Sequence, residues 1–299
     1  MLARRRAVRL RQQRVSNLKV GCAGRVGSRR PLVKQPLGAF LEPLRIISLG
    51  WGVQSFTIAA MSALGELPPV HAAIHADTTH EREETYAFSR RWSEWLIERG
   101  VNVVTVSDQK QAQYVSTEKT DIPAFTVSPF SDGQLRRQCT GRWKINPMRR
   151  WVSAELERLG ISKRPGVVEQ WLGISLDEVE RIKPSDVKYI THHWPLIEKR
   201  MTRVGCVKWL QSYGLEVPPK SACIFCPYHN AAAWRELKRN KSDWDKAVMV
   251  DEAIRKTRPP FDLYIHPSRR PLKDLDFRSQ QERGQLELFA EECSGVCFV

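Results

Sequence analysis

The chain of 299 residues contains no run of eighteen consecutive apolar residues. No stretch therefore reads as a membrane-spanning helix, and no membrane partner is expected. Residues 1–40 contain no Asp or Glu, against eleven Arg and Lys. The opening "MLARRRAVRLRQQR" also lacks the apolar core of a signal peptide, which argues against secretion and for a cytoplasmic protein. Serine is sparse there, so a transit peptide has little support. A disordered nucleic-acid-binding arm and a misplaced start codon fit the same tail. Beyond residue 40 the chain has 37 basic and 33 acidic residues, so the formal net charge of +15 is mostly a property of the tail. The remainder makes only a weak case for a polyanionic partner.

What is present is an alternation of short apolar runs and amphipathic stretches. "RIIS" at 45–48 reads as a buried strand, and the apolar residues from Phe56 to Met61 read as the start of a helix over 54–64. Gly50, Gly52 and Ser55 lie between them. A strand, a glycine turn and a helix can hold phosphate, because the helix N-terminus aims N–H groups and a positive dipole end at an anion. An ordinary turn with small residues for packing fits the same stretch. Further strands are expected at 70–77, 101–107 and 167–175, with helices over 82–100 and from "INPMRRWVSAELERLG". Residues 108–137 read as a long polar loop. This order predicts an α/β fold, a parallel Rossmann-like sheet with helices on both faces. Three regions are expected: a disordered basic tail over 1–43, a nucleotide-binding domain over 44–197, and a Cys-rich helical, metal-binding region over 198–299. The strand ends carry the Gly50–Ser55 turn, Asp77 with Thr78, and Gly173 with Asp177 and Glu178. Open α/β sheets bind ligands at such ends.

Seven cysteines occur. In a reducing compartment, close spacings point to metal or redox chemistry rather than to structural disulfides. Cys223 and Cys226 form C-x-x-C. The pair suits a shared metal centre, a redox dithiol, or two buried small side chains. The ending "EECSGVC" holds Cys293 and Cys297, which read as reactive thiols, as further ligands, or as a frayed tail. Arg136, Arg137, Arg142 and Lys144 flank Cys139. Such a run is a solvated face or, beside an anion crevice, a site for sulfate or nucleic-acid phosphate.

The motifs "SLGWGVQS", "ADTTHEREETYAF", "QCTGRWKINPM", "LGISLDEVERIK", "KSACIFCPYHN" and "EECSGVC", in this order, resemble the adenine-nucleotide alpha-hydrolase (PP-loop) superfamily and its phosphoadenylyl-sulfate (PAPS) reductase-like branch. The resemblance spans roughly residues 44–299. It implies that Ser48, Gly50, Gly52, Gln54 and Ser55 form a pyrophosphate loop, assisted by Asp77, Thr78, Gly173, Asp177, Glu178 and Arg181. The implied ligand is ATP, or a sulfonucleotide such as PAPS or APS, with Mg²⁺ as a companion. Gln54 departs from the family, which has Asp there, so a loop acid that organises Mg²⁺ is missing. The resemblance also implies an iron–sulfur cluster or zinc on Cys139, Cys223, Cys226 and a replacement ligand. Cys139 precedes Cys223 by 84 residues, and Thr140 stands where that family has a second cysteine. Cys206 is the candidate replacement, with a core cysteine on an amphipathic helix as the equal alternative. Cys293 follows Glu292 as the nucleophile of sulfate reductases does, which makes Cys293, Cys297 and Lys144 the catalytic candidates.

Three functions stay open. The preferred one is ATP-dependent sulfur transfer to, or related modification of, a nucleic acid such as tRNA or DNA. The second is thiol-dependent reduction of PAPS or APS, with a sulfur or electron donor protein as partner. The third is a non-catalytic nucleotide sensor or nucleic-acid-binding module, favoured by Gln54.

Overall fold

The computed structural model describes residues 42–108 and 121–278. The basic tail, Cys22, Cys293 and Cys297 lie outside the described residues. The expected doubly covered parallel sheet is present. Its strands are β1 (Leu44–Ser48), β2 (Ala72–Asp77), β3 (Val103–Ser107), β6 (Val168–Trp171) and β7 (Ile190–His193), in the spatial order β3-β2-β1-β6-β7. Every neighbouring pair is parallel, with Ile46 opposite both Ala72 and Gln170. The chain lays β2 and β3 on one side of β1 and returns to place β6 on the other. A crevice opens at such a reversal, outside the carboxyl ends of the strands.

Adjacent residues of β1 point to opposite faces and seed two cores. Ile47 packs with Phe56 and Ala60 of α1 (Val53–Ala63) and Phe88 and Leu96 of α2 (Glu83–Glu98). Ile46 packs on the other face with Met148, Val152 and Leu156 of α3 (Asn146–Arg158). Both isoleucines are fully buried. Helix α2 opens with Glu83 and Glu84, which suit the positive end of its dipole. Gly100, at φ +82°, turns the chain out of it into β3. Pro147 stands in the first turn of α3.

The described part of the expected long loop, residues 121–137, is more ordered than its polar composition suggests. It holds β4 (Phe125–Val127) and β5 (Gly133–Gln134), which form a small antiparallel sheet with β8 (Asp262–Tyr264). That sheet crosses the boundary expected at 197–198, so β4 and β8 tie the two regions together. The C-terminal part holds the short α4 (Pro195–Glu198), then α5 (Arg203–Ser212), α6 (Ala231–Arg239) and α7 (Lys241–Ile254). Thr202, Asn230 and Asn240 cap the last three through their side chains. A third core, including Trp143, Phe225, Trp234 and Leu263, lies under α6 and α7. No helix of the described residues is long and apolar enough to cross a membrane.

Candidate functional site

A cleft of about 530 Å³ opens at the carboxyl ends of β1, β2 and β6. Its walls include Ser48, Leu49 and Gly50 from the β1–α1 loop, His75 of β2 and Gln170 of β6. Glu81 and Lys144 close one side, and Lys183 and His192 stand on another. The volume suits a cofactor-sized ligand. His75 is buried, and its Nδ1 lies 3.1 Å from the Leu49 carbonyl. Burial lowers its pKa, so the ring is neutral. On the cleft floor Gln170 donates to Ser48 Oγ at 2.7 Å.

The glycine loop stores strain. Trp51 adopts φ +56°, a region hostile to bulky residues, and such a position costs on the order of 1–3 kcal/mol. Its ring is buried against Phe56, His75 and Phe88, and this packing holds the loop in place. Ser55 Oγ accepts from the Gly50 N–H and donates to the Gly52 carbonyl, both at 3.2 Å. The first turn of α1 has no side-chain cap and no acid. Its end thus keeps its positive dipole, as an anion site requires.

Several residues assigned to nucleotide binding serve the loop's foundation instead of lining the cleft. Gln54 is buried, donates to Glu178 at 3.1 Å and Ser175 at 3.4 Å, and accepts from Arg203 at 2.9 Å. Arg181 pairs with Glu178 at 2.7 Å, and Asp177 accepts the Arg203 N–H at 2.9 Å. Gly173 lies so close to α1 that a Cβ there would come within 2.7 Å of the Ser55 nitrogen. Asp77 accepts from the Thr79 N–H and the Tyr86 hydroxyl, each at 2.8 Å. Of the expected phosphate-binding set, Ser48 and Gly50 line the cleft itself, together with the catalytic candidate Lys144.

Cys139, Cys223 and Cys226 line a second cavity, of about 160 Å³. The C-x-x-C segment reaches it by pairing with the chain just beyond β2. Cys223 bridges Glu81, and the Ile224 N–H donates to the His80 carbonyl at 2.8 Å. Lys144 lines both cavities. It sits in a π-helical turn, Thr140–Ile145, that leads into α3 and turns Trp143 into the third core. Such turns are frequent at functional sites.

Lys144 Nζ lies 3.3 Å from Glu81 Oε1. Burial opposes the ammonium, but Glu81 and Cys223 together hold its pKa above the usual value. The Glu81 carboxylate is buried, and its Oε2 has no hydrogen-bond partner among the described residues. Thr78 Oγ1 lies 3.3 Å from Cys223 Sγ and 3.4 Å from Glu81 Oε1. Burial, reinforced by Glu81, pushes the Cys223 thiol up to about 12, while Lys144 works against the shift. Burial also raises Cys226, opposed by the backbone N–H of Tyr228, Arg137 and Lys144. Both sulfurs are therefore thiols unless a metal takes their protons.

Cys206 does not join them. It is fully buried in the core between α1 and α5, beside Ile58 and Leu210. Burial pushes its pKa up to about 11, and Thr57 is its polar neighbour. Its role as replacement ligand is corrected to a core residue. Among the described residues, no three His, Cys, Asp or Glu are grouped to hold a single metal ion. A zinc site needs its thiolates packed around one atom, about 2.3 Å away.

Sequence reasoning misses Glu81 and Ser221. Glu81 lies within "ADTTHEREETYAF", and its signal is an acid four residues beyond a strand-end Asp. Ser221 donates to the Gly50 carbonyl at 2.5 Å, which joins the cysteine loop to the glycine loop.

No family model matches the chain, and no curated protein matches it in sequence. Among solved structures it is similar to the phosphoadenylyl-sulfate (PAPS) reductase of Candida auris in its phosphate complex. The identity is 13% over 60% of this chain and 76% of that one, with a TM-score of 0.40. It is also similar to the U34-tRNA thiolase NcsA of Methanococcus maripaludis with its 4Fe-4S cluster, at 14% identity over 70% of each chain and a TM-score of 0.34.

Proposed function

We propose that the chain is a PP-loop-type enzyme that binds ATP in the larger cleft and activates a nucleic acid for sulfur transfer at the cysteine cavity. One observation carries the reading: Lys144, paired with buried Glu81, is a shared wall of the two cavities. A nucleotide in the cleft places its phosphates near the β1–α1 loop and this ammonium. A substrate reaching the thiols meets the same ammonium from the other side. Adenylating the substrate oxygen breaks the bond between the α and β phosphates and releases pyrophosphate. Hydrosulfide delivered by a sulfur donor protein then attacks the activated carbon: the C–S bond forms, the C–O bond to the adenylate breaks, AMP leaves with that oxygen, and the proton of the hydrosulfide is lost. Lys144 supports both steps by offsetting negative charge on the phosphates.

Cys139, Cys223 and Cys226 would hold a cluster, and Lys144 and Arg137 favour the thiolate forms it needs. The cluster supplies sulfur-handling and redox chemistry when bound. Gln54 brings no acid to the cleft, where Glu81 is the buried carboxylate.

The test has two arms. ATP titrated calorimetrically into the full chain should bind, and AMP or pyrophosphate should be released only when tRNA or DNA is added. Anaerobically purified protein should contain iron and acid-labile sulfide, which Cys139→Ser or Cys223→Ser should lower. Absence of ATP binding, or unchanged metal content in both variants, defeats the reading.

A further inference from the structure

The mouth of the cysteine cavity carries a feature that its metal chemistry does not use. Arg137 and Tyr228 line the cavity, and the Arg137 guanidinium lies 5.4 Å from the Tyr228 ring centre. Arg136 and Lys220 flank this pair in sequence, next to Arg137 and to Ser221 of the cavity wall. All three cations are exposed, and among the described residues none is paired with a carboxylate. Their neighbour Arg142 differs, because Asp121 pairs with it at 2.6 Å. Exposed cations beside an aromatic ring are the combination that tracks a phosphate backbone and stacks a base.

Size decides which part of a substrate enters. The cavity, at about 160 Å³, is well below the roughly 300–1,000 Å³ of sites that enclose whole small molecules. A complete nucleotide with its phosphates does not fit, whereas one projecting group of a larger molecule does. Duplexes hide their bases in the stack, so an enzyme acting on a base takes it from a single strand or extrudes it.

We propose that this rim is the binding surface for a single-stranded nucleic acid, with one unpaired base stacked at Tyr228, at the mouth, and its edge turned toward the cavity that the three cysteines line. Arg136, Arg137 and Lys220 hold the flanking phosphates. The inference rests on the sulfur-transfer reading and adds the substrate's form: an unpaired nucleotide rather than a duplex. Lys144, which lines both cavities, then meets the base edge from the side of the larger cleft.

The experiment uses the full chain, so that any binding by the basic tail is common to all samples. Fluorescein-labelled single-stranded RNA, single-stranded DNA and a blunt duplex of equal length are titrated by anisotropy over a range of salt. The single strands should bind more tightly than the duplex, and the RNA–DNA comparison identifies which strand is taken. Tyr228→Ala should weaken single-strand binding about tenfold while leaving the salt slope unchanged. The triple variant Arg136→Ala, Arg137→Ala, Lys220→Ala should flatten the slope of log K on log salt by about 2, since each phosphate left without its cation removes about 0.7. ATP affinity and the far-ultraviolet spectrum should stay as in wild type and show that the variants are folded. If the salt slope and single-strand affinity are unmoved in folded variants, the inference is overturned, even with ATP binding and metal content as proposed. Tighter binding of the duplex overturns it equally. Loss of the broader reading is seen separately, as absence of ATP binding in wild type.

Discussion

Replacing Gly173 with alanine should displace the first turn of α1 and the glycine loop before it, although Gly173 itself does not line the cleft. The added Cβ would lie 2.7 Å from the Ser55 nitrogen, 2.9 Å from its Cα and 3.1 Å from the Gln54 carbonyl carbon. All three are backbone atoms, so no rotamer change relieves the clash. The first turn of α1 must retreat until these distances reach ordinary contact at about 3.4 Å. It is pinned by the bonds of Gln54 to Glu178 and Arg203 and of Ser55 to Gly50 and Gly52. Overpacking of this kind costs about 1–3 kcal/mol, and the rigid partners place Gly173→Ala in the upper half of that range. Gly52→Ala is the control. The nearest atom to its Cβ is Ser221 Cβ at 3.9 Å, and its φ of −89° suits any residue. Its stability should change by less than about 1 kcal/mol, because the gain from a stiffer unfolded chain is opposed by the preference for glycine over alanine at an N-cap. Urea unfolding of wild type and both variants, with the m-value checked for constancy, measures the difference. A Gly173→Ala stability within about 0.5 kcal/mol of wild type would refute the close approach of the 172–175 segment to α1.

Cys206→Ala should leave iron and sulfide content at the wild-type level, whereas Cys139→Ser and Cys223→Ser should lower it; elemental analysis after anaerobic purification decides. His229 is buried, and burial, helped by Arg82, lowers its pKa to about 4. The unfolded chain, with an ordinary pKa near 6.5, then binds more protons, so stability is full above pH 6.5 and falls as the pH drops toward about 4. The slope from this one group is at most about 1.4 kcal/mol per pH unit, and His229→Gln should flatten the urea midpoint over that window. Lys144→Gln should destabilise the fold by leaving Glu81 buried beside no cation, and adding Glu81→Gln should recover part of the loss. A double-mutant cycle with no coupling between the two positions would refute the pair.

The central sheet is legible in the sequence because β1, β2 and β3 are short apolar runs separated by amphipathic helices. The residues "LRIIS" and "AAIHAD" admit burial on both faces and little else. Strand β7 escapes notice because "ITHH" offers no apolar run; it sits at the sheet edge, where Thr191 is exposed. The small sheet is hidden for a related reason. Strands β4 (Phe125–Val127) and β5 (Gly133–Gln134) are very short, and β4 finds β8 only at Asp262–Tyr264, far along the chain. Cys223 stands in a C-x-x-C pair and Cys206 alone on an amphipathic helix, which leaves a core residue and a ligand equally open for Cys206. Tertiary packing separates the two, placing Cys206 between two helices and Cys223 at a bridge with Glu81. Gln54 looks in sequence like a weakened phosphate loop. Its amide in fact joins Glu178 to Arg203, a neutral link between two charges that a carboxylate would repel on the Glu178 side.

The contacts between the two loops give this arrangement a mechanical consequence. The cysteine loop is fixed to the β1–α1 loop and to the chain just beyond β2 at three points: Ser221 on the Gly50 carbonyl, Cys223 paired with Glu81, and Ile224 on the His80 carbonyl. None of these contacts involves a sulfur, so they can hold the C-x-x-C segment in place whether or not the thiols carry metal. A phosphate drawn toward the β1–α1 loop acts on Gly50 directly, and Gly50 is the residue that Ser221 grips. Binding free energies linked through such a contact are reciprocal: whatever nucleotide does to the order of the cysteine loop, metal on that loop does to nucleotide affinity. Ser221→Ala removes this link while sparing every thiol and every charge in the cleft. The difference in ATP affinity between metal-loaded and metal-free protein should therefore shrink in Ser221→Ala, with both proteins still folded. An equal difference in wild type and variant would mean that the two loops are neighbours without being coupled.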